Sequence, residues 1–190
     1  MIKPVENSEI VKMELANRLF FRLYQCANML HKMGTRAVEA QGLTTQQWAV
    51  LGALSRPEVE DGMSVGDLAR YLMVSRQNLS GLISRMERDG HLRSAPDGRD
   101  RRSRRITMTE SGREVWVNEA QPNIRSYYAQ VLADFSVGDM AHTLHYLLKL
   151  LGNMKRIDGE GAAFGEDDLE QDAQEEPVLA RAAKAAAGRR

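Results

Sequence analysis

Arginine is concentrated in one short stretch of the chain, residues 76–105. This stretch of thirty residues holds nine arginines, no lysine and four acids, whereas the formal charge of the whole chain is zero. A local excess of five positive charges is suited to neutralising closely spaced phosphates. The arginines are Arg76, Arg85, Arg88, Arg93, Arg99, Arg101, Arg102, Arg104 and Arg105. The pattern predicts that this stretch binds a polyanion such as duplex DNA.

The first part of the stretch predicts a helix with two unlike faces. Ser75 can cap its N-terminus, and Gly90 stands where a C-terminal stop is expected. One face is apolar, since four side chains recur at helical spacing: Leu79, Leu82, Ile83 and Met86. The other face is polar and mostly small, so it can approach base edges in the major groove, although it would also suit an ordinary solvated helix. The DNA contacts predicted from this helix are Ser75, Arg76, Gln77, Asn78, Ser80, Gly81, Ser84, Arg85 and Arg88.

The second part of the stretch predicts a β-hairpin with an arginine-rich tip. Residues 91–95 and 104–108 are the predicted strands, and a Pro-Asp-Gly sequence marks the turn between them. Arginines at such a tip can enter a narrow minor groove, where the negative potential is enhanced. Asp100 is expected to orient the Arg102 guanidinium through a charge-assisted hydrogen bond. The DNA contacts predicted from the tip are Arg99, Asp100, Arg101, Arg102 and Ser103. The alternative, a solvated charged loop, would not need arginine to the exclusion of lysine.

A shorter helix is expected just before these two elements. Ser64 and Asp67 have the spacing of an N-terminal cap. Leu68, Ala69 and Leu72 follow at helical spacing. Two short helices joined by a tight turn, the second of them basic, form a helix-turn-helix, and the hairpin makes it winged. The predicted fold class is therefore mainly α, a winged helix-turn-helix with a small antiparallel β-hairpin and a helical dimerisation region.

These residues, in this order and spacing, resemble the MarR-type winged-helix regulators across roughly residues 10–157. The wing followed by the Thr-Glu-Ser-Gly helix start at 109–112 is the most specific part of the likeness. The matching segments are 42–44, 47–51, 68–69, 75–92, 97–103 and 106–113. The resemblance implies an obligate homodimer that binds pseudo-palindromic operators, usually as a repressor that a small ligand releases.

The predicted function is sequence-specific regulation of transcription on double-stranded DNA, as a ligand-responsive repressor. Activation of transcription and architectural DNA binding without an effector are the alternatives. The chain contains no Gly-rich phosphate loop, no nucleophile in a plausible pairing with His and Asp, and no metal-ligand set. The sequence therefore predicts no enzyme activity, no catalytic residue, no metal and no cofactor.

Further helices are predicted on both sides of the winged unit. Thr44 and Gln47 form a capping box that opens one of them. One helix is expected from residue 110 to about residue 135, with a kink at Pro122 because proline removes a backbone hydrogen bond. Ser136 is placed to cap a last helix with a broad apolar face.

Four regions follow from the helical pattern and the charge. Residues 1–42 are predicted to be an N-terminal dimerisation helix, 43–113 the winged DNA-binding domain, and 114–157 the C-terminal dimerisation helices. The apolar faces of the two dimerisation regions are too broad for one small winged module to cover, so a second copy should cover them. Residues 158–190 carry nine acids and four bases with little bulky apolar surface, which predicts a disordered acidic tail.

Cationic and aromatic side chains on two neighbouring helices predict a site for a small-molecule effector. The candidates are Arg18, Phe21, Arg22, Tyr24 and Trp48. An arginine can pair with a carboxylate while aromatic side chains cover a ring. In the resembled family the effector often lies between the dimer helices and the winged unit and is often an aromatic carboxylate. An acyl-CoA would also suit, and the alternative is that the aromatic residues are core and the arginines solvated or paired with acids.

The remaining candidates for chemistry are given structural roles. Cys26 is expected to be a buried, inert thiol, since the reactive cysteine of peroxide-sensing relatives would fall at Phe20. His142 and His145 share a helix face, with Asp139 nearby, but no larger ligand cluster supports a metal. No run of about eighteen apolar residues is present, so no membrane partner is expected. A cytoplasmic location is predicted, which suits a single cysteine.

Overall fold

The computed structural model describes residues 4–97 and 104–159, which are mostly helical with one small antiparallel sheet. The predicted fold class, mainly α with a winged helix-turn-helix, is confirmed. Two compact units divide the chain, the first ending at Gln130 and the second beginning at Val131. The predictions for the wing tip and for the acidic tail beyond Gly159 lie outside the described residues.

The first helix, α1, spans Pro4–Val38 and leads into a short 3-10 turn, Glu39–Gln41. Gly42 ends this turn with a φ of 68°, a left-handed conformation that glycine adopts without a clash at Cβ. The chain then enters the core at Leu43, whose side chain is buried. The turn at Gly42 and the burial of Leu43 therefore fix the orientation of the end of α1 relative to the winged unit that follows.

The second helix, α2, spans Thr45–Leu54 and begins with the predicted capping box. The Thr44 hydroxyl accepts from the Gln47 backbone N–H, and the Gln47 side chain accepts from the Thr44 backbone N–H. α2 packs closely against α1 at Gly34, where an added Cβ would lie 2.8 Å from the Trp48 ring. Only a residue without a side chain fits this crossing.

The helix-turn-helix consists of α3, Val65–Tyr71, and α4, Arg76–Arg88. Both predicted serine caps are confirmed, since Ser64 accepts from the backbone N–H of Asp67 at 3.0 Å and Ser75 accepts from that of Asn78 at 3.2 Å. α4 ends before Gly90, which has a φ of 82°.

Three antiparallel strands form the sheet in the order β1-β3-β2. The predicted hairpin is formed by β2, Leu92–Pro96, and β3, Arg104–Met108, with Ser94 opposite Ile106. The strand β1, Met63–Ser64, pairs with the other edge of β3. β1 was not predicted, because two residues are too short to show an alternating pattern.

The segment after the sheet differs from the single kinked helix that the sequence predicts. It consists of α5, Glu110–Glu114, a π-helical turn, Val115–Ala120, and α6, Gln121–Val131. The irregularity lies just before Pro122, where the missing N–H and the ring of proline disfavour an unbroken α-helical ladder. The prediction was wrong in form and extent, since α6 ends at residue 131 rather than near 135.

The second unit contains one long helix, α7, Val137–Ile157. The Ser136 cap predicted for it is confirmed and is reciprocal, since Asp139 accepts from the backbone N–H of Ser136 at 2.9 Å. No helix in the described part of the chain is both long enough and apolar enough to cross a membrane.

The core of the first unit lies between α2, α3, α4 and the sheet. The apolar face predicted for α4 is buried in it, so that the helix has its opposite face outward. The largest fully buried side chains are Leu43, Leu51, Leu68, Leu79, Met86, Ile106, Val38 and Val50. Burial of this cluster fixes the orientation of α4.

Candidate nucleic-acid interface

The polar face of α4 is exposed along its whole length. All nine residues predicted to contact DNA from this helix are exposed: Ser75, Arg76, Gln77, Asn78, Ser80, Gly81, Ser84, Arg85 and Arg88. The apolar residues of the other face, such as Leu79 and Met86, are buried. α4 therefore presents small polar and cationic groups on its exposed face, while its opposite face packs against the core.

The predicted DNA-contacting side chains of α4 differ in the contacts they make within the fold. The Arg76 guanidinium lies beside Gly66, where an added Cβ would be 3.2 Å from its Nη2 atom. Arg88 forms an exposed ion pair with Asp89 at 3.2 Å, and such pairs exchange readily with solvent or phosphate. Gln77 and Arg85 have no hydrogen bond or ion pair to other residues in the ranges 4–97 and 104–159. Both side chains are available to a ligand.

Two apolar residues beside α4 were missed by the sequence analysis. Met73 has a φ of 53° in the turn that joins the two helices, and it and Val74 are exposed. Exposed apolar side chains next to a polar DNA-facing surface can contact thymine methyl groups. In the sequence these two residues were assigned to the turn between the helices and given no role in binding. The feature that distinguishes them is the unusual backbone conformation of Met73, which is seen only in the structure.

The hairpin stem holds three of the nine arginines by contacts within the fold. Arg93 Nε donates to Thr107 Oγ1 at 3.1 Å, and Arg104 Nη2 donates to the Ser94 carbonyl at 3.0 Å. Arg105 is paired with the buried Asp97. These arginines belong to the stem, whereas the tip residues predicted to bind DNA lie outside the described residues: Arg99, Asp100, Arg101, Arg102 and Ser103.

The five candidate effector residues do not come together as one cluster in the structure. Arg18 pairs with Glu14 and Arg22 donates to Gln25 at 2.8 Å, both along α1. Phe21 and Tyr24 are exposed, at 61% and 64%.

Trp48, the candidate on α2, packs against an aromatic partner from α6. Its ring centroid lies 5.8 Å from that of Tyr128. Partial burial, with the nearby Tyr127 adding a smaller effect, raises the pKa of Tyr128 above its ordinary value. The Tyr128 hydroxyl is therefore neutral and can donate a hydrogen bond at physiological pH.

A cavity of about 330 Å³ lies between α1, α2 and α4. Its lining residues include His31 and Thr35 from α1, Gln46 from α2 and Arg85 from α4. The volume falls at the lower end of the range for small-molecule sites. Sequence analysis did not identify this cavity, because its lining residues are far apart in the chain and only the fold brings them together.

Cys26 is exposed, so the prediction of a buried thiol was wrong. The residue lies in the part of α1 before Gly34, and the buried positions described for this helix begin near Gly34. In the ranges 4–97 and 104–159, no group of three or more His, Cys, Asp or Glu side chains is placed to hold a metal ion. Asp139 is engaged by the Ser136 cap.

Comparison with known proteins gives consistent matches. The family model described as MarR family matches residues 41–103. The transcriptional activatory protein BadR of Rhodopseudomonas palustris is 76% identical over 158 residues, which cover 83% of this chain and 90% of that protein. The homoprotocatechuate degradative operon repressor of Escherichia coli is 32% identical over 126 residues, covering 65% of this chain and 82% of that protein.

Solved structures have the same architecture. The M. tuberculosis transcriptional regulator MOSR, in complex with DNA, superposes with a TM-score of 0.59 and 29% identity, covering 68% of this chain and 90% of that one. AbsC of Streptomyces coelicolor gives a TM-score of 0.59 at 26% identity over 82% of this chain and 97% of its own.

Proposed function

The chain belongs to the MarR family, and we propose that it is a sequence-specific regulator whose α4 enters the major groove of its operator. Membership makes it a DNA-binding transcription regulator and not an enzyme. The observation that carries the proposal is the division of α4 into a buried apolar face and an exposed face of small polar and cationic residues. Such a face suits close approach to base edges, while the arginines beside it suit phosphates.

The hairpin tip is proposed to contact the adjacent minor groove. The stem, β2 and β3, is anchored to the core through Leu92, Ile106 and Met108. This anchoring fixes the stem on the core, and the segment 98–103 contains three arginines whose positive charge suits that groove. We expect the tip to contribute affinity and α4 to contribute the larger share of specificity.

A homodimer is proposed because many large apolar side chains of α1 are exposed. Its exposed apolar residues are Ile10, Val11, Met13, Leu15, Leu19, Phe20, Phe21, Tyr24, Met29 and Leu30. A patch of this kind marks an interface, and two-fold symmetry would place two copies of α4 roughly 34 Å apart, in successive major grooves. We keep the proposed division: 1–42 and 114–157 for pairing, 43–113 for DNA, and 158–190 as an acidic tail.

A small anionic effector is proposed to act at the cavity between α1, α2 and α4. Arg85 lines this cavity and also belongs to the exposed face of α4. An anion that pairs with this guanidinium would remove a cation from the DNA-facing surface and weaken the operator complex. A volume near 330 Å³ favours a single-ring acid, or the acyl part alone of a thioester. The Escherichia coli relative is named for an operon that degrades homoprotocatechuate, an aromatic acid.

The direction of regulation is proposed to be activation. Repression was predicted from the sequence, and the 32% identical relative is named a repressor. The relative that is 76% identical is named an activatory protein, and it covers far more of the chain. Transcription in vitro from the target promoter, with and without the protein, would decide between the two. More transcript is expected with the protein, and less transcript would restore the prediction of repression.

Sequence preference tests the central proposal. Fluorescence anisotropy with a palindromic promoter duplex and with random duplexes should show a preference of about 10³ or more for the promoter. Uniform affinity across sequences would instead support an architectural DNA-binding protein without an effector.

The effector proposal is tested by adding benzoates, hydroxycinnamates and their CoA esters to the operator complex. Dissociation by one class is expected, and it should be weakened by His31→Ala or Gln46→Ala at the cavity. Arg22→Ala is the matched change at the site predicted from the sequence alone. If only Arg22→Ala blocks the response, the effector binds on the open face of α1 and not in the cavity.

A further inference from the structure

Among the arginines of the basic stretch that the structure describes, Arg105 makes contacts unlike those of the others. Its Nε atom lies 3.0 Å from Asp97 Oδ2, and its Nη1 atom donates to the Gly62 carbonyl oxygen at 2.7 Å. The Asp97 side chain is only 11% exposed and that of Arg105 is 32% exposed. Two of the three guanidinium nitrogens are thus committed inside the fold.

These contacts join three separate segments at the base of the hairpin. Gly62 precedes β1, Asp97 follows β2, and Arg105 lies within β3 opposite Ala95. Gly62 packs so tightly on β3 that an added Cβ would lie 2.3 Å from the Ile106 carbonyl oxygen. Asp97 is also the residue from which the chain enters the predicted DNA-binding tip.

A second contact joins the hairpin to α4. The Ser94 hydroxyl on β2 is hydrogen-bonded to the Glu87 carboxylate near the end of α4. The hairpin is therefore held at one edge by the helix proposed to enter the major groove and at the other by the Gly62 turn. A planar guanidinium can satisfy a carboxylate and a carbonyl at the same time, which an ammonium group cannot do with the same geometry.

We propose that Arg105 and Asp97 are positioning residues, which fix the direction of the hairpin relative to α4 so that both can contact one DNA site. In this inference Arg105 is not a phosphate ligand, although it lies in the basic stretch. A buried carboxylate that loses its partner is strongly unfavourable, so removing either member should release the base of the hairpin. The inference depends on the proposal that the hairpin contacts DNA.

The test is a double-mutant cycle on the full-length protein. Arg105→Gln, Asp97→Asn and the double variant are titrated against operator duplex by anisotropy at several salt concentrations. Each single variant should lower operator affinity about tenfold, and the double variant should be no weaker than the worse single variant, because both lose one interaction. The slope of log affinity against log salt should change by the same amount in both single variants, since each loosens the same proposed tip contacts.

Direct phosphate binding by Arg105 gives a different outcome. Arg105→Gln would then reduce the salt slope by about 0.9 while Asp97→Asn left it unchanged, and Arg105→Gln would weaken binding equally in the Asp97→Asn background. That result, or wild-type affinity in both single variants, would overturn the inference. Arg113→Gln, an exposed change on α5, is the matched loss of one positive charge and should leave operator affinity near the wild-type value.

Two further variants separate unfolding and failure of the parent proposal from failure of the inference. Arg105→Lys keeps the charge but loses the planar fork, so it should reduce affinity and speed amide exchange in β2 and β3. Wild-type exchange and affinity in this variant would contradict the positioning role. Arg102→Ala tests whether the tip binds DNA at all: if it has no effect, the proposed hairpin contact is wrong, and if it weakens binding while the Arg105 and Asp97 variants do not, only the positioning role is wrong.

Discussion

Gln77 lies on the exposed face of α4 and has no hydrogen-bonding partner elsewhere in residues 4–97 and 104–159. Its amide can both donate to and accept from a base edge, so we expect it to discriminate between sequences. Gln77→Ala should cost about 1–3 kcal/mol of binding free energy on the operator and less on random duplex. Anisotropy titrations of both duplexes measure the difference, and equal losses on the two would exclude base contact by this side chain.

Arg102 is the contrasting residue, since a tip arginine should contribute charge more than sequence discrimination. Arg102→Ala should weaken operator and random duplex alike and lower the salt slope by about one. Titration of both duplexes at four or more salt concentrations gives the slope. A loss confined to the operator would indicate base recognition at the tip.

Asp139 links the cap of α7 to pH. Hydrogen bonds from the Ser136 hydroxyl, and then from its backbone N–H, hold the pKa of Asp139 below its ordinary value. A carboxyl with a lowered folded-state pKa stabilises the fold above its unfolded pKa, and this stabilisation is lost as the pH falls through the folded value. The helical circular dichroism signal of the protein should therefore weaken below about pH 4, as α7 loses the stabilisation from its cap. Ser136→Ala should reduce this acid dependence, and an unchanged profile would contradict the assignment.

The local features of single residues were predictable, whereas distant pairings were not. The caps at Thr44, Ser75 and Ser136 depend on residues three positions away, so their spacing is visible in the chain. Arg105 was counted as one of nine surface cations, because its partner carbonyl at Gly62 lies 43 positions away in sequence. Local charge predicts a basic surface and does not show which arginines the fold itself engages.

At the scale of the element, Gly81 tests whether α4 enters a groove. An added Cβ at this position meets nothing within 4 Å, and glycine inside a helix costs about 1 kcal/mol relative to alanine. Gly81→Ala should therefore raise the thermal midpoint and yet weaken DNA binding, because the methyl group stands on the face proposed to approach the bases. A more stable variant with unchanged DNA affinity would place the contact surface elsewhere.

Gly112 holds α5 against the junction of α4 and β2. An added Cβ there would lie 2.1 Å from the His91 carbonyl oxygen, a backbone atom that cannot easily move. Gly112→Ala should lower the free energy of unfolding by several kcal/mol through strain and repacking. Chemical denaturation measures the change, with Gly81→Ala as the control of the same chemistry in open space. Equal stability of the two variants would contradict the close approach.

The periodicity of apolar residues in the sequence predicted some helix and strand boundaries and missed others. The apolar spacing of α4 and the Pro-Asp-Gly turn of the hairpin were strong enough signals to place both elements within one or two residues. The π-helical turn, Val115–Ala120, was not visible, because Trp116 and Ala120 keep the spacing of four residues that an ordinary helix face also shows. Proline at 122 predicted a disturbance and did not predict its form.

For the whole molecule, dimerisation is the central expectation. Many large apolar side chains of α1 are exposed, and exposed apolar surface of this kind marks an interface. Sedimentation should give a dimer at micromolar concentrations, and the thermal midpoint should rise with concentration. Leu19→Glu should shift the protein towards monomer and lower operator affinity. A concentration-independent monomer of the wild-type chain would remove the two-fold model of DNA binding.

The position of Arg85 has a thermodynamic consequence, since one guanidinium borders both the cavity and the surface proposed to face DNA. If an effector lowers operator affinity by some factor, the operator must lower effector affinity by the same factor, because binding free energies are reciprocal. Molecules bound to DNA would then respond only at higher effector concentrations than molecules in solution. The effector concentration needed for a response would then depend partly on the number of operators relative to the number of protein molecules.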